Sequence, residues 1–187
     1  IANNPLMANA LRESAQEAEA KKLPQQDIKK TEADFKATKL LKPNAVLNDY
    51  LANTAKEVNL AEMFLTERNG FNVAFSDTTT DFVQSDEKWW QNAKKKGDFI
   101  GTPEFDDSVK VVVVPIAKAV KDPSSGQFLG VIKSEVPATN LDKNIANYLS
   151  SSLLGSRLVQ TIDVDSGTTF NTISAKGISQ TQQQVVG

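Results

Sequence analysis

The 187-residue chain contains neither cysteine nor histidine. That double absence excludes the common zinc and copper sites, thiol nucleophiles and every triad built on an imidazole base. Aromatic residues are scarce, 7% of the chain, yet its two tryptophans, Trp89 and Trp90, stand side by side. Neither sign of charge dominates: 21 Lys and Arg face 23 Asp and Glu, for a net charge of −2. Such a balance offers nucleic acid no basic surface. The one compact basic run, Lys94-Lys95-Lys96, reads as the last turn of a helix, where cations meet the negative end of the dipole. No apolar run approaches the roughly 18 residues that span a bilayer. The longest, 111–117, is interrupted by Pro115 and has the length of a strand. The chain opens at Ile1 without a signal-peptide pattern, so the expectation is a piece of a longer protein.

What is present has two periods. Residues 1–60 carry loose helical spacing, with Leu6, Ala10, Leu11, Ile28, Phe35, Leu40 and Leu41 set among Lys, Glu and Gln. Pro24 breaks this stretch and Pro43 ends it. Asn44 then suits an N-cap for a further helix with Leu47, Tyr50, Leu51 and Val58 on its apolar side. From Ala61 the period falls to two: Ala61, Met63 and Leu65 alternate before Asn69-Gly70, and Phe71, Val73 and Phe75 after it. This predicts a hairpin with a type I′ turn, both of whose central residues need positive φ.

Residues 85–97 predict a short helix capped by Ser85 and stopped by Gly97. Strands at 110–120 and 128–136 flank the turn Asp122-Pro123-Ser124-Ser125-Gly126. A helix from Thr139 follows, with Asp142 as capping-box partner and Leu141, Ile145, Leu149 and Leu153 apolar. A third hairpin joins 158–164 to 168–174 around Asp165-Ser166-Gly167, and the Gln-rich tail after Ile178 carries no signal. The order predicts an α+β fold: an antiparallel sheet with the N-terminal helix packed on it and a helical, aromatic crossover over one face.

Four segments carry a family resemblance. Leu65-Thr66-Glu67-Arg68-Asn69-Gly70-Phe71-Asn72-Val73-Ala74 resembles the first hairpin of Cache (PAS-like periplasmic) sensor domains of bacterial chemoreceptors and sensor histidine kinases. Asp81-Phe82-Val83-Gln84-Ser85-Asp86-Glu87-Lys88-Trp89-Trp90-Gln91-Asn92-Ala93 resembles their pocket-forming helix, and Phe105-Asp106-Asp107-Ser108 the acidic turn before their next strand. Phe128-Leu129-Gly130-Val131-Ile132-Lys133-Ser134-Glu135-Val136 resembles the closing strand. Asn4-Pro5-Leu6, followed by a long helix, is similar to the helix that emerges from the membrane in such receptors.

The resemblance implies a PAS-like antiparallel sheet, a single Cache core over 61–137. A long N-terminal helical segment (1–60) and a C-terminal helix plus hairpin (138–187) belong to the same domain. It also implies an extracytoplasmic small-molecule-sensing domain of a transmembrane signalling receptor, chemotaxis transducer or sensor kinase, in the periplasm. The alternative is a ligand-free structural or dimerisation module of a membrane receptor. The implied ligand is a small polar or zwitterionic metabolite: an amino acid, an amine or a carboxylate.

Family members that bind amino acids carry an arginine where Glu87 stands, so the usual carboxylate grip is missing here. Lys133 can replace it, and Glu135 falls where those members place an aspartate. On a strand the two project to one face. The expected ligand-binding residues are Phe82, Trp89, Trp90, Phe99, Asp106, Asp107, Lys133 and Glu135. Each has a plainer reading: core packing for the aromatics, a turn for Asp106 and Asp107, a surface ion pair for Lys133 and Glu135. No catalytic residue, metal or cofactor is expected, because no nucleophile turn, phosphate loop or ligand cluster accompanies the carboxylates. Asp163-Val164-Asp165-Ser166-Gly167 echoes the start of a calcium loop, but no glutamate follows at the required distance, so a hairpin turn is expected. A homodimer through the N-terminal helix is expected in the intact receptor.

Overall fold

A computed structural model of the chain describes residues 4–38, 44–77, 79–106, 110–140, 158–164, 167–174 and 176–184. Asn4 accepts a hydrogen bond from the Leu6 amide, and Pro5 takes the first helical position, where a missing N–H costs nothing. Helix α1 then runs Pro5–Ala20. Lys22, at φ 55°, turns the chain into a short 3-10 segment, Leu23–Gln25, that contains Pro24. Helix α2 (Ile28–Thr38) follows, and α3 (Ala45–Glu57) is capped by the Asn44 side chain, which accepts from the Leu47 amide at 3.1 Å. Leu40, Leu41 and Pro43 lie outside the described residues.

Strands β1 (Glu62–Glu67) and β2 (Asn72–Phe75) form the expected antiparallel hairpin, with Phe64 opposite Phe75. The turn differs from type I′. Gly70 has φ 93°, but Asn69 is not in the left-handed region, and the Gly70 amide donates to the Glu67 carbonyl at 2.8 Å. The reason is the Glu67 side chain, discussed below. Nor is β1 half exposed, as its alternation suggested: both of its faces are covered, so Phe64, Thr66 and Glu67 are buried along with Met63 and Leu65.

Helix α4 is Lys88–Lys96, shorter than expected. Glu87, not Ser85, is its N-cap residue and makes no side-chain cap bond; Gly97, at φ 99°, ends it. Three-residue strands β3 (Asp98–Ile100) and β4 (Glu104–Asp106) both pair with the long β5 (Val111–Lys121). Pro115 falls opposite the gap between them, where the ladder needs no amide from β5. Strand β6 (Phe128–Pro137) completes one sheet of order β2-β1-β6-β5-β3. Strands β7 (Val159–Asp163), β8 (Thr168–Ser174) and β9 (Gly177–Gln184) make a separate antiparallel sheet. The third hairpin is as expected. The tail that carried no signal is β9, held by its backbone register with β8. The helix expected after Thr139, with Leu141, Asp142, Ile145, Leu149 and Leu153, lies outside the described residues beyond 140.

The chain divides into two units, Ile1–Ile100 with Ile116–Ser134, and Gly101–Pro115 with Glu135–Gly187. In the first, Met7 and Leu11 of α1 and Leu47 and Leu51 of α3 pack on Met63, Leu65, Val73 and Ile132, so these helices cover one sheet face as expected. Phe64, Trp89, Trp90, Ala93, Ala117 and Val131 form a cluster under α4. In the second unit β8 buries every other residue, Thr169, Asn171 and Ile173, and Ala138 packs on Val112. Among the described residues no helix is long and apolar enough to cross a membrane.

Candidate functional site

Of the expected site residues in the first unit, Trp89, Trp90, Phe99 and Lys133 gather on the α4 side of the sheet. Adjacent helical positions diverge by about 100°, and Trp89 and Trp90 accordingly do different things. Trp90 points at β1: its indole N–H donates to Thr66 Oγ1 at 2.9 Å, and that hydroxyl donates to the Val131 carbonyl at 3.2 Å. This relay fixes α4 to β1 and β6 through buried polar groups, each of which needs its partner. Trp89 meets Phe64 edge-on, ring centroids 5.6 Å apart.

Lys133 completes this arrangement from β6. Its ammonium lies 5.0 Å from the centroid of the Trp89 ring and 5.6 Å from that of Phe64. Strand alternation puts Lys133 on the face that carries Val131, which packs in the same cluster. Aromatic faces attract the cation, and the low polarity around them strengthens any charged hydrogen bond it makes. Phe99 and Phe75 pack on the margin of the cluster, half-buried. The result is an aromatic wall with the Lys133 ammonium set over it. Sequence reasoning missed Phe64 in this role. Its signal was an aromatic at the polar phase of an otherwise alternating strand.

Phe82 goes elsewhere. It stacks on Phe35 of α2, centroids 3.9 Å apart, in a cluster with Leu23, Phe71 and Val83. Glu32 of α2 fixes it there: Oε1 accepts from the amides of Phe82 and Val83 at 2.8 and 2.5 Å. The structure therefore does not bring Phe82 to Trp89 and Lys133. Asp106, on β4 opposite Val111, and the buried Glu135 belong to the second unit. Asp107 lies outside the described residues.

A further carboxylate unforeseen in the sequence is Glu67, fully buried at the hairpin turn. It accepts from the amides of Asn69 and Phe71 and from the Asn69 side chain, at 2.9, 3.2 and 2.9 Å. Burial pushes its carboxyl above the usual range, and these donors counter part of that effect. Satisfying the turn amides with a carboxylate displaces the backbone pattern of a type I′ turn. Arg68, next to it, donates from Nε and Nη2 to the Glu19 carboxylate of α1, at 2.7–2.9 Å.

No protein-family model matches the chain, and no curated protein does. Among solved structures, the extracellular domain of rpHK1S-Z16, described as a histidine kinase, aligns with 96% of this chain and 71% of its own, at 14% identity and a TM-score of 0.55. The ligand-binding domain of Mlp24, solved with asparagine, aligns with 88% of this chain and 66% of its own, at 16% identity and a TM-score of 0.46. The ligand-binding domain of the Campylobacter jejuni chemoreceptor Tlp3, solved with 4-methylisoleucine, gives 17% identity and a TM-score of 0.44 over 75% of this chain. The chain spans 63% of that domain. The match to the extracellular domain of rpHK1S-Z16 shows a shared fold: α+β, with an antiparallel sheet between helices, as the resemblance to Cache domains led one to expect.

Proposed function

We propose that this chain is the extracytoplasmic small-molecule-sensing domain of a transmembrane signalling receptor, a chemotaxis transducer or a sensor kinase. The observation that carries the reading is the length of its fold correspondence: 96% of the chain follows an extracellular domain of a protein described as a histidine kinase. The site on the α4 side supports it chemically. The ligand is a small polar or zwitterionic metabolite: an amino acid or carboxylate sets its carboxylate on Lys133 and its apolar body or ammonium against Trp89, Phe64 and Phe99, and an amine sets its ammonium against the same rings. Occupancy passes outward only if one signalling state binds the ligand better than the other. The Trp90–Thr66–Val131 relay suits this, since a shift of α4 moves the sheet with it.

One observation favours a second reading, a structural module that keeps the fold without a ligand. Trp89 is 8% exposed and Phe64 3%, so the aromatic face is well packed. A thermal-shift screen of amino acids, amines and carboxylates separates the two. A ligand at a hundred times its dissociation constant stabilises the fold by about 2.7 kcal/mol, so a sensing domain melts measurably higher with its ligand. A structural module melts unchanged with every compound.

A further inference from the structure

The first unit holds another concavity, a cleft of about 490 Å3 that neither Lys133 nor Trp89 lines. The size falls within the usual range for small organic ligands. Leu23 and Ile28, from the connection between α1 and α2, form one wall, and Phe71 of the hairpin another. Trp90 and Lys94, one turn apart on α4 and so on one face, close it. The cleft is preformed. The Gln84 amide donates to the Gly70 carbonyl at 2.8 Å, and a Cβ at Gly70 would fall 2.6 Å from Ser85. Only a glycine allows the hairpin turn to lie so closely on the segment that leads into α4.

The charge of the lining decides what fits. In a chain of net charge −2, the two charged residues that line the cleft, Arg68 and Lys94, are both cations. Arg68 is matched by Glu19. Among the described residues no carboxylate stands within ion-pair distance of Lys94, whose ammonium lies 4.7 Å from the centroid of the Trp90 ring. The cleft thus combines apolar walls, an aromatic surface and one uncompensated positive charge.

We propose that this cleft binds a small organic monocarboxylate, its carboxylate on Lys94 and its apolar body against Trp90, Leu23 and Ile28. The site is separate from the Lys133 face and does not depend on it. Benzoate and isovalerate serve as probes, titrated into the isotope-labelled 187-residue chain and followed by amide chemical shifts, with benzamide as the neutral counterpart of benzoate. At least one acid should give saturable shifts over residues 23–31 and at Phe71 and α4. Loss of a charge-assisted bond should weaken binding about tenfold or more, for Lys94→Gln and for benzamide alike. Lys133→Gln should leave this affinity unchanged. The proposal is overturned if neither acid gives saturable shifts, if the shifts centre on β6 around Lys133, or if Lys94→Gln or benzamide matches the parent pair.

Discussion

Alanine at Gly130 puts a methyl group where the chain has no room. A Cβ built there lies 2.0 Å from the carbonyl oxygen of Thr66 and 3.0 Å from Cδ2 of Leu11. Non-bonded heavy atoms pack at about 3.5 Å or more, so β6 must retreat from β1 by roughly 1.5 Å. The obstacle is strand backbone, which cannot swing aside as a flexible side chain would. Retreat also draws Val131 out of the aromatic cluster and strains the Thr66–Val131 hydrogen bond. Overpacking costs about 1–3 kcal/mol and a weakened hydrogen bond about 1 kcal/mol. At a total near 3 kcal/mol the melting temperature should fall by roughly 6–12 °C in a chain of this size. Tryptophan fluorescence reads this directly, because both tryptophans sit in the affected cluster. Gly126→Ala is the control: the space there is open but φ is 72°, so only backbone strain acts, about 1 kcal/mol. If Gly130→Ala melts higher than Gly126→Ala, the close approach of β6 to β1 is wrong.

Two carboxylates should give opposite pH dependences. Burial raises the Glu67 pKa in the folded state, so the fold binds more protons than the unfolded chain just above the ordinary value of 4.5, and stability falls as pH rises through that window. Glu67→Gln should flatten this part of a pH-resolved urea-unfolding series. Asp122 is the reverse. Hydrogen bonds from Ser124 and Ser125, aided by the charge of Arg12, lower its pKa from 3.8 to about 2, so its contribution is present above 3.8 and lost as pH falls toward 2. Asp122→Asn should remove that acid-side loss in the same series. For assembly, Leu6 of α1 remains exposed, and the helical segment before Pro43 is expected to pair with a second copy. Sedimentation in detergent of the chain tethered to a membrane-spanning helix should show dimers, and monomers alone would rule the pairing out.

The parts of the fold that rest on local chemistry were legible in the sequence. Asn44 starts a helix because its side-chain oxygen suits the cap position, and Gly97 stops α4 in the left-handed conformation it alone adopts cheaply. What escaped depended on burial and on side-chain partners that the alternation does not show. The Asn69-Gly70 turn changed type because a buried carboxylate, Glu67, claims its amides. Phe82 left the expected site because Glu32, fifty positions earlier, takes its amide and Phe35 its ring. Strand β9 has no hydrophobic alternation to read, since the ladder with β8 makes it. Of the candidate site, the crossover aromatics and Lys133 could be named, whereas Phe64 looked like an ordinary strand residue until α4 covered it.

The proposed grip of a small ligand by Lys133 on the α4 side of the sheet is open to a direct test. Calorimetry decides it, titrating the strongest compound from the thermal-shift screen into the parent chain and into Lys133→Gln. The exchange removes one charge from the aromatic wall and leaves the stem of the side chain in place, so the variant should stay folded. Loss of a charge-assisted bond of about 1.5–3 kcal/mol should weaken binding roughly ten- to a hundredfold. Equal affinities in the two folded chains, or no compound that binds either, would contradict the account.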